Sequence, residues 1–353
     1  MTQSAFMQAM TKPFLTVLKD QTSQRVPFWL MRQAGRYLPE YRDLRAQAGG
    51  FLDMVYNPAF ACEVTLQPLR RFGMDAAILF SDILVIPHAL GQGLTFEVGE
   101  GPRLPPIRDE NGLKELNLDK IDTVLNPVYE TVAKIREELK AEGFDQTALI
   151  GFAGAPWTVA TYMVEGSGSK EFLHVKGWAY RDPAGFQKLI DIVTETTIHY
   201  LSRQAESGAE ALQLFDSWAG VLDEKQFARW VIAPTKKIIA ALKRIHPDIP
   251  IIGFPRGAGF LYERYARETG VDALGLDQTV PLAQATALQK ICPVQGNLDP
   301  ACLLSGGPEM EARITEILTA LSDGPFIFNL GHGVIKDTPV VHVEQLMEMV
   351  NTV

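Results

Sequence analysis

Apolar residues along the chain fall into short continuous runs separated by longer stretches with helical spacing. The runs are Phe28-Trp29-Leu30-Met31, Ala76-Ala77-Ile78-Leu79-Phe80, Leu149-Ile150-Gly151-Phe152 and Ala211-Leu212-Gln213-Leu214-Phe215 in the first part of the chain. Ile251-Ile252-Gly253-Phe254, Ala273-Leu274-Gly275-Leu276, Val294-Gln295-Gly296 and Phe326-Ile327-Phe328 bring the count to eight. The stretches between them have legible helix ends. Asn126-Pro127 opens one with Val128, Val132, Ile135 and Leu139 on its apolar side and Gly143 beyond it. Asp182-Pro183 opens a long one that runs to Gly208, Pro308 opens one carrying Ile314, Ile317, Leu318 and Leu321, and Thr338-Pro339 starts the last. Continuous apolar runs with intervening helices predict parallel strands covered on both faces. Eight of them predict an α/β chain closed into a (β/α)8 TIM-type barrel in preference to an open doubly wound sheet. No sequence repeat or low-complexity linker divides it, so a single domain over residues 1–353 is expected. Leu94 to Pro106, rich in Gly and Pro, reads as a hairpin or loop inserted between the second and third strands.

Composition narrows the class. Hydrophobic residues make up 46% of the chain and charged residues 21%, which suits a globular protein with a sizeable core. The net charge of −9, from 33 basic and 42 acidic side chains, argues against nucleic acid or an anionic membrane as partner. Cys62, Cys292 and Cys302 have no paired spacing and read as reduced, small core fillers. Met1 to Lys19 lacks the pattern of a secretory leader, and no apolar run approaches ~18 residues, so a cytoplasmic location is expected.

Charge concentrates where the first run ends. Arg32 and Arg36 lie four residues apart with Gly35 between them. Guanidinium groups present forked donors that match carboxylates or phosphates two bonds at a time, and two of them crowded together favour an anion between them. The alternative is an ordinary surface pair between Arg36 and Glu40, four residues on. In a barrel of this kind the site lies at the carboxyl ends of the strands. The residues there are Arg32 and Arg36; Ser81 and Asp82; Gly154 and Pro156; Asp216 and Ser217; Pro255 and Arg256; Asp277; Asn297 and Asp299; Asn329 and His332. Asp82, Asp216, Asp277 and Asp299 equally suit helix caps, and the glycines around His332 equally suit a tight loop. No His, Cys or carboxylate ligands recur at zinc-site spacing, so no metal is expected. Gly253 to Gly259 lacks the Lys-Ser/Thr of a nucleotide-binding loop. The rim thus offers arginines for an anion and an aspartate for a cationic or hydrogen-bond-donating group, and it does not name a reaction.

Two longer segments carry a family resemblance. Met31-Arg32-Gln33-Ala34-Gly35-Arg36-Tyr37-Leu38-Pro39-Glu40 resembles the N-terminal signature of the uroporphyrinogen decarboxylase family, and Gly151 to Gly166 (GFAGAPWTVATYMVEG) resembles its second. Phe80-Ser81-Asp82-Ile83-Leu84, Phe215-Asp216-Ser217-Trp218 and Asn329-Leu330-Gly331-His332-Gly333 resemble further family segments in the family's order. The resemblance implies a single-domain barrel that acts as a homodimer without metal, cofactor or prosthetic group. It implies conversion of uroporphyrinogen III to coproporphyrinogen III, four ring acetates becoming methyls with loss of carbon dioxide, in haem and related tetrapyrrole synthesis. By position it makes Arg32, Arg36 and the backbone of Gln33, Ala34 and Gly35 the grip on substrate carboxylates, with Arg45 a further arginine. Asp82 becomes the acceptor for the central pyrrole N–H groups, Tyr162, Ser217 and His332 line the pocket around the reacting acetate, and Phe51 adds an apolar wall. Asp82, Tyr162, His332 and Arg36 are the expected catalytic set.

That chemistry needs no added electron sink. Decarboxylation leaves an electron pair that a cofactor or metal usually accepts, but a pyrrole protonated beside its acetate-bearing carbon is a cation that accepts it. A fixed carboxylate beneath the N–H groups stabilises that cation as it forms. An arginine, with a pKa above ~12, is a poor acid in isolation, whereas Tyr162 and His332 belong to the usual donor types. Two other readings stand beside this one. A corrinoid-linked methyltransferase shares the fold but requires a zinc held by a His-x-Cys and a later Cys, and here His332 is followed by Gly333-Val334. A non-enzymatic tetrapyrrole carrier would use the same cup without turnover.

Overall fold

A computed structural model of the chain describes residues 12–19, 23–97 and 101–352. Its centre is a curled parallel sheet of seven strands in the order β1 (Ala76–Ile78), β4 (Ala148–Gly154), β5 (Ala211–Asp216), β6 (Ile251–Pro255), β7 (Ala273–Gly275), β8 (Val294–Leu298) and β9 (Phe326–Leu330). Registers such as Ala76 beside Ala148, Leu212 beside Ile251 and Val294 beside Phe326 are all parallel. Every residue of β4, β6, β8 and β9 is buried, which is why these segments read as continuous apolar runs. The remaining strands, β2 (Thr95–Glu97) and β3 (Gly101–Arg103), pair antiparallel as the expected excursion, whose turn lies outside the described residues.

The inside of the curl is sealed at one end. Ala76, Ala148, Ala211 and Ala273, the first residues of their strands, share one buried cluster with Phe14, Val17 and Leu18 from the short helix Pro13–Leu18. Small side chains at the strand starts leave the space that this helix fills. The sequence pattern did not single it out. At the opposite end the strands release their polar residues.

The first apolar run departs from expectation. Phe28 forms an isolated parallel bridge with Phe328 and no regular strand. Its backbone is nevertheless satisfied toward both flanks. Trp29 N–H donates to Phe328 O at 3.3 Å and Phe328 N–H to Pro27 O at 2.9 Å. On the other side Asp75 N–H donates to Phe28 O at 3.0 Å, and Phe28 N–H donates to Asp75 Oδ2 at 2.9 Å. A side chain replaces the backbone acceptor that a ladder would supply, so regular pairing stops there. The buried Asp75 carboxylate is also held in a fork by Arg25, with Nη1 at 2.8 Å from Oδ2. Trp29 Nε1 donates to Gln295 Oε1 at 3.1 Å, whose Nε2 donates to Gln213 Oε1 at 2.9 Å, a polar chain running from this segment to β8 and β5.

Helix ends follow the sequence signals with one exception. Asp182 accepts from Gly185 N–H at 2.9 Å and Pro183 begins the helix Pro183–Glu206. The helix expected from Asn126-Pro127 instead spans Ile121–Ala141, with Pro127 inside it. Buried Ile121 and Leu125 extend its apolar stripe by further steps of four and three, a signal that the proline obscured.

Asp75→Ala is expected to lower unfolding free energy by about 3 kcal/mol, because it strips buried donors of a charged acceptor. Urea denaturation measures this, and an unchanged midpoint contradicts the anchoring role.

Candidate active site

Arg32 leaves the anchored segment in a left-handed conformation, φ +59°, that side-chain-bearing residues rarely adopt. Such a residue costs about 1–2 kcal/mol, and its surroundings must enforce it. Met31 N–H donates to Asn329 Oδ1 at 3.0 Å, Val334 N–H to Met31 O at 2.9 Å, and Gln33 N–H to Leu30 O at 2.9 Å. Gly333 provides the space: a Cβ there would overlap the Cβ, Cγ and Cδ of Arg32. Gly331 packs equally tightly on the backbone of Gln278. The glycines flanking His332 therefore do shape a tight loop, and one of them seats Arg32.

Asp82 follows β1 in the loop before the helix Val85–Ala89. Its Oδ1 accepts from Leu84 N–H at 2.8 Å, so it closes a local turn, while Leu84 and not Asp82 occupies the cap position. Asp82 keeps some accessible surface, yet burial raises its carboxyl above the usual range, with the Leu84 N–H and the charge of Arg32 opposing. Tyr162, on the helix Pro156–Glu165, has its phenol raised by burial and next by the charge of Asp82, with Arg32 acting the other way. Arg32, Asp82 and Tyr162 are thus within electrostatic reach of one another. The Tyr162 ring lies 6.2 Å from Trp218, the neighbour of half-buried Ser217 at the end of β5. Phe51 packs 5.9 Å from Phe80, two residues before Asp82, and 4.6 Å from Phe96. His332 lies 6.5 Å from Phe254 and is pushed down to about 3 by burial, then by Arg32 and Arg256, with Asp277 opposing.

Arg36 stands apart from this group. It is exposed and lines a cavity of about 440 Å³ with Tyr37, Arg42, Lys336, Asp337 and Thr338. The surface pair weighed against the ligand reading does not form, because Glu40 is held by Arg71 at 2.8 and 3.0 Å. Arg45 donates to the Gly49 carbonyl. Of the three backbone groups expected to grip carboxylates, that of Gln33 is already engaged by Leu30, which leaves Ala34 and Gly35.

The other strand-end aspartates divide by role. Asp299 caps its helix through Ala301 N–H at 2.8 Å. Burial raises Asp277, but donors from Thr279, Gly257 and Tyr262 outweigh it and hold the carboxyl low. Asp216 accepts from Thr158 Oγ1 at 2.5 Å and is pushed up to about 7 by burial. Thr158 in turn accepts from Trp218 N–H at 3.1 Å, and Trp157 Nε1 donates to Trp218 O at 2.9 Å. These bonds fasten the Ser217-Trp218 turn to the helix that carries Tyr162. The sequence reading missed Thr158 and Trp157, although both lie inside the Gly151–Gly166 segment. Among the described residues no group of three or more His, Cys, Asp or Glu side chains is placed to hold a metal ion.

A histidine with its pKa near 3 is neutral across the physiological range in the free protein, and because its folded value lies below the unfolded ~6.5, stability falls as pH drops from about 6.5 toward 3. In NMR titrations of the ligand-free protein His332 is expected to show no midpoint between pH 5 and 8; a midpoint near 6.5 contradicts the burial and charge environment described.

Comparison with known proteins was decisive on kinship. The uroporphyrinogen decarboxylase (URO-D) family matches residues 10–353. The uroporphyrinogen decarboxylase of Sphingopyxis alaskensis is 55% identical over 345 residues, covering 98% of this chain and 99% of that protein. Those of Chelativorans sp. and Rhodospirillum rubrum are 54% and 53% identical, covering 96% of this chain and 98% and 97% of their own. Among solved structures, a methyltransferase from Methanosarcina mazei superposes with a TM-score of 0.79 at 19% identity, covering 97% of this chain and 98% of its own, a likeness of fold alone. The chain belongs to the uroporphyrinogen decarboxylase family.

Proposed function

We propose that this protein is a carboxy-lyase that converts uroporphyrinogen III to coproporphyrinogen III by decarboxylating its four acetates, without a cofactor. The observation that carries the chemistry is Asp82, a carboxylate at a strand end that burial destabilises and that has one backbone donor and no ion-pair partner among the described residues. Four pyrrole N–H groups and a developing ring cation supply what it lacks. Protonation of a ring carbon beside the acetate-bearing one creates the sink. The C–CO2 bond then breaks and its electrons pass into the ring. A proton adds to the exocyclic carbon to complete the methyl group, and the ring carbon loses its added proton to restore the pyrrole, so that one proton is consumed overall for each carbon dioxide released. Asp82 stabilises the cationic ring more than the neutral one, which is the condition for acceleration. Tyr162, whose phenol burial and the charge of Asp82 raise, keeps its proton in the free protein and serves in this reading as a donor. His332 is neutral in the free protein, and a substrate carboxylate near Arg32 offsets part of the charge that keeps it so. Phe51 walls the cup and Ser217 offers a hydroxyl near the reacting acetate.

Arg32 and the Ala34 and Gly35 N–H groups hold carboxylates close to the ring. Arg36, in its outer cavity with Arg42 and Lys336, takes a peripheral arm and does not touch the reacting atoms. In this reading the Pro27–Met31 segment serves as an eighth stave that closes a single-domain barrel, supported by its hydrogen bonds to both Phe328 and Asp75. The working unit is a homodimer in the cytoplasm, an inference from family resemblance; no helix among the described residues is long and apolar enough to cross a membrane. The likeness to the methyltransferase is confined to fold, so no second activity is assigned.

Incubation with uroporphyrinogen III under nitrogen is expected to give successive mass losses of carbon dioxide; binding without mass loss would favour the carrier. Asp82→Asn should reduce turnover about 10²–10³-fold while keeping the fold and porphyrinogen binding. Lower stability with unaltered turnover would instead leave Asp82 as a turn-forming residue.

A further inference from the structure

Among the arginines that follow a strand, Arg256 has no role in the proposed chemistry. Arg256 follows β6 at the carboxyl end of the sheet and is partly buried. Its backbone is fixed: Arg256 N–H donates to Asp216 O and Phe254 O, both at 3.1 Å, and Gly220 N–H donates to Arg256 O at 3.0 Å. Gly220 and Gly257 press together so closely that a Cβ at 220 would overlap the Gly257 carbonyl. Its guanidinium makes no hydrogen bond or ion pair among the described residues. Every other partly buried arginine there has an acceptor: Arg25 has Asp75, Arg45 the Gly49 carbonyl, Arg136 Glu210, Arg203 Glu206, Arg264 Glu268 and Arg313 Glu316. A neighbouring carboxylate, Asp277, cannot serve as an easy partner because it is already occupied. Gly257 N–H at 2.6 Å, Tyr262 OH at 2.8 Å, Thr279 N–H at 2.8 Å and Thr279 Oγ1 at 2.5 Å use its acceptor capacity.

A partly buried arginine on a fixed backbone, with no acceptor for its guanidinium, is a site for an external carboxylate or phosphate. Arg256 is close enough to His332 for its charge to act there, as Arg32 does, while Arg32 alone of the arginines acts on Asp82. Arg256 therefore serves the side of the mouth near His332 and away from Asp82. We propose that Arg256 is a substrate-binding residue that holds a peripheral carboxylate which survives the reaction, a propionate and not the reacting acetate. This rests on the decarboxylase reading. The choice of arm follows from energetics: a guanidinium paired with the departing carboxylate stabilises it most in the ground state, before its charge is lost as carbon dioxide, and so raises the barrier. Pairing with a propionate acts equally on substrate, transition state and product, which lowers KM and leaves kcat alone.

The test uses Arg256→Gln and Arg256→Lys in the full chain, with uroporphyrinogen III as substrate and coproporphyrinogen III as product ligand. Arg256→Gln should raise KM for the substrate and Kd for the product by the same factor, about tenfold or more for a lost charged pair, with kcat within about twofold. Arg256→Lys, which keeps the charge and loses the fork, should recover part of the affinity and guards against a folding defect in the first variant. Unchanged KM and Kd overturn the proposal. A raised KM with unchanged product Kd also overturns it, since the product has no acetate and Arg256 would then hold the reacting group. Failure of the unmodified protein to release carbon dioxide, with Arg256→Gln still weakening product binding, would instead refute the activity and retain the binding role.

Discussion

Burial of the Asp82 carboxylate without an ion-pair partner is the constraint around which the site is arranged. Folding alone favours either exposing such a group or pairing it with a base. This chain leaves Asp82 only partly exposed and pairs it with no base among the described residues. It gives Asp82 one backbone donor and the field of Arg32, and leaves the burial uncompensated enough that the neutral form gains ground. In the proposed mechanism a complete salt bridge would lower the tendency of Asp82 to meet a cationic ring, so that reading requires Arg32 near and still unpaired. The left-handed backbone at Arg32, the space at Gly333 and the clamp from Asn329 to Met31 achieve that placement.

Electrostatics at larger range make the same demand. An excess of nine negative charges repels a polycarboxylate, and the attraction must come from a few local cations. Most arginines of the chain are committed to internal acceptors, such as Arg70 to Glu63 and Glu142 and Arg71 to Glu40. Arg32, Arg36 and Arg256 are not; Arg256 follows β6, while Arg32 and Arg36 follow the first apolar run. The charge of Arg32 acts on Asp82, Tyr162 and His332, that of Arg256 acts on His332, and Arg36 lines an outer cavity.

Much of this was legible in the sequence because parallel strands buried on both faces write themselves as apolar runs. Seven of the eight runs contain strands, and the residues after them do lie at one end of the sheet. The first run did not become a strand, since Asp75 offers Phe28 a side-chain acceptor, and no periodicity reports which acceptor an N–H will choose. Pro127 misled because a proline within a helix reads like a helix start, and the stripe from Ile121 and Leu125 was the better guide. Spacing alone offered Glu40 as an alternative partner for Arg36, but Arg71, thirty-one residues from Glu40, holds that carboxylate in three dimensions. The unusual φ of Arg32 and the isolation of Arg256 were invisible in one dimension. Both depend on what distant residues leave unfilled.

The proposed chemistry requires a single carboxylate beneath the macrocycle, and a structure of the complex with coproporphyrinogen or a porphyrin analogue tests that position directly. The four ring nitrogens are expected to centre over Asp82 within hydrogen-bonding distance, with outer carboxylates reaching the nearby guanidinium groups. A macrocycle bound elsewhere, or an Asp82 side chain turned away from the ring, would contradict it.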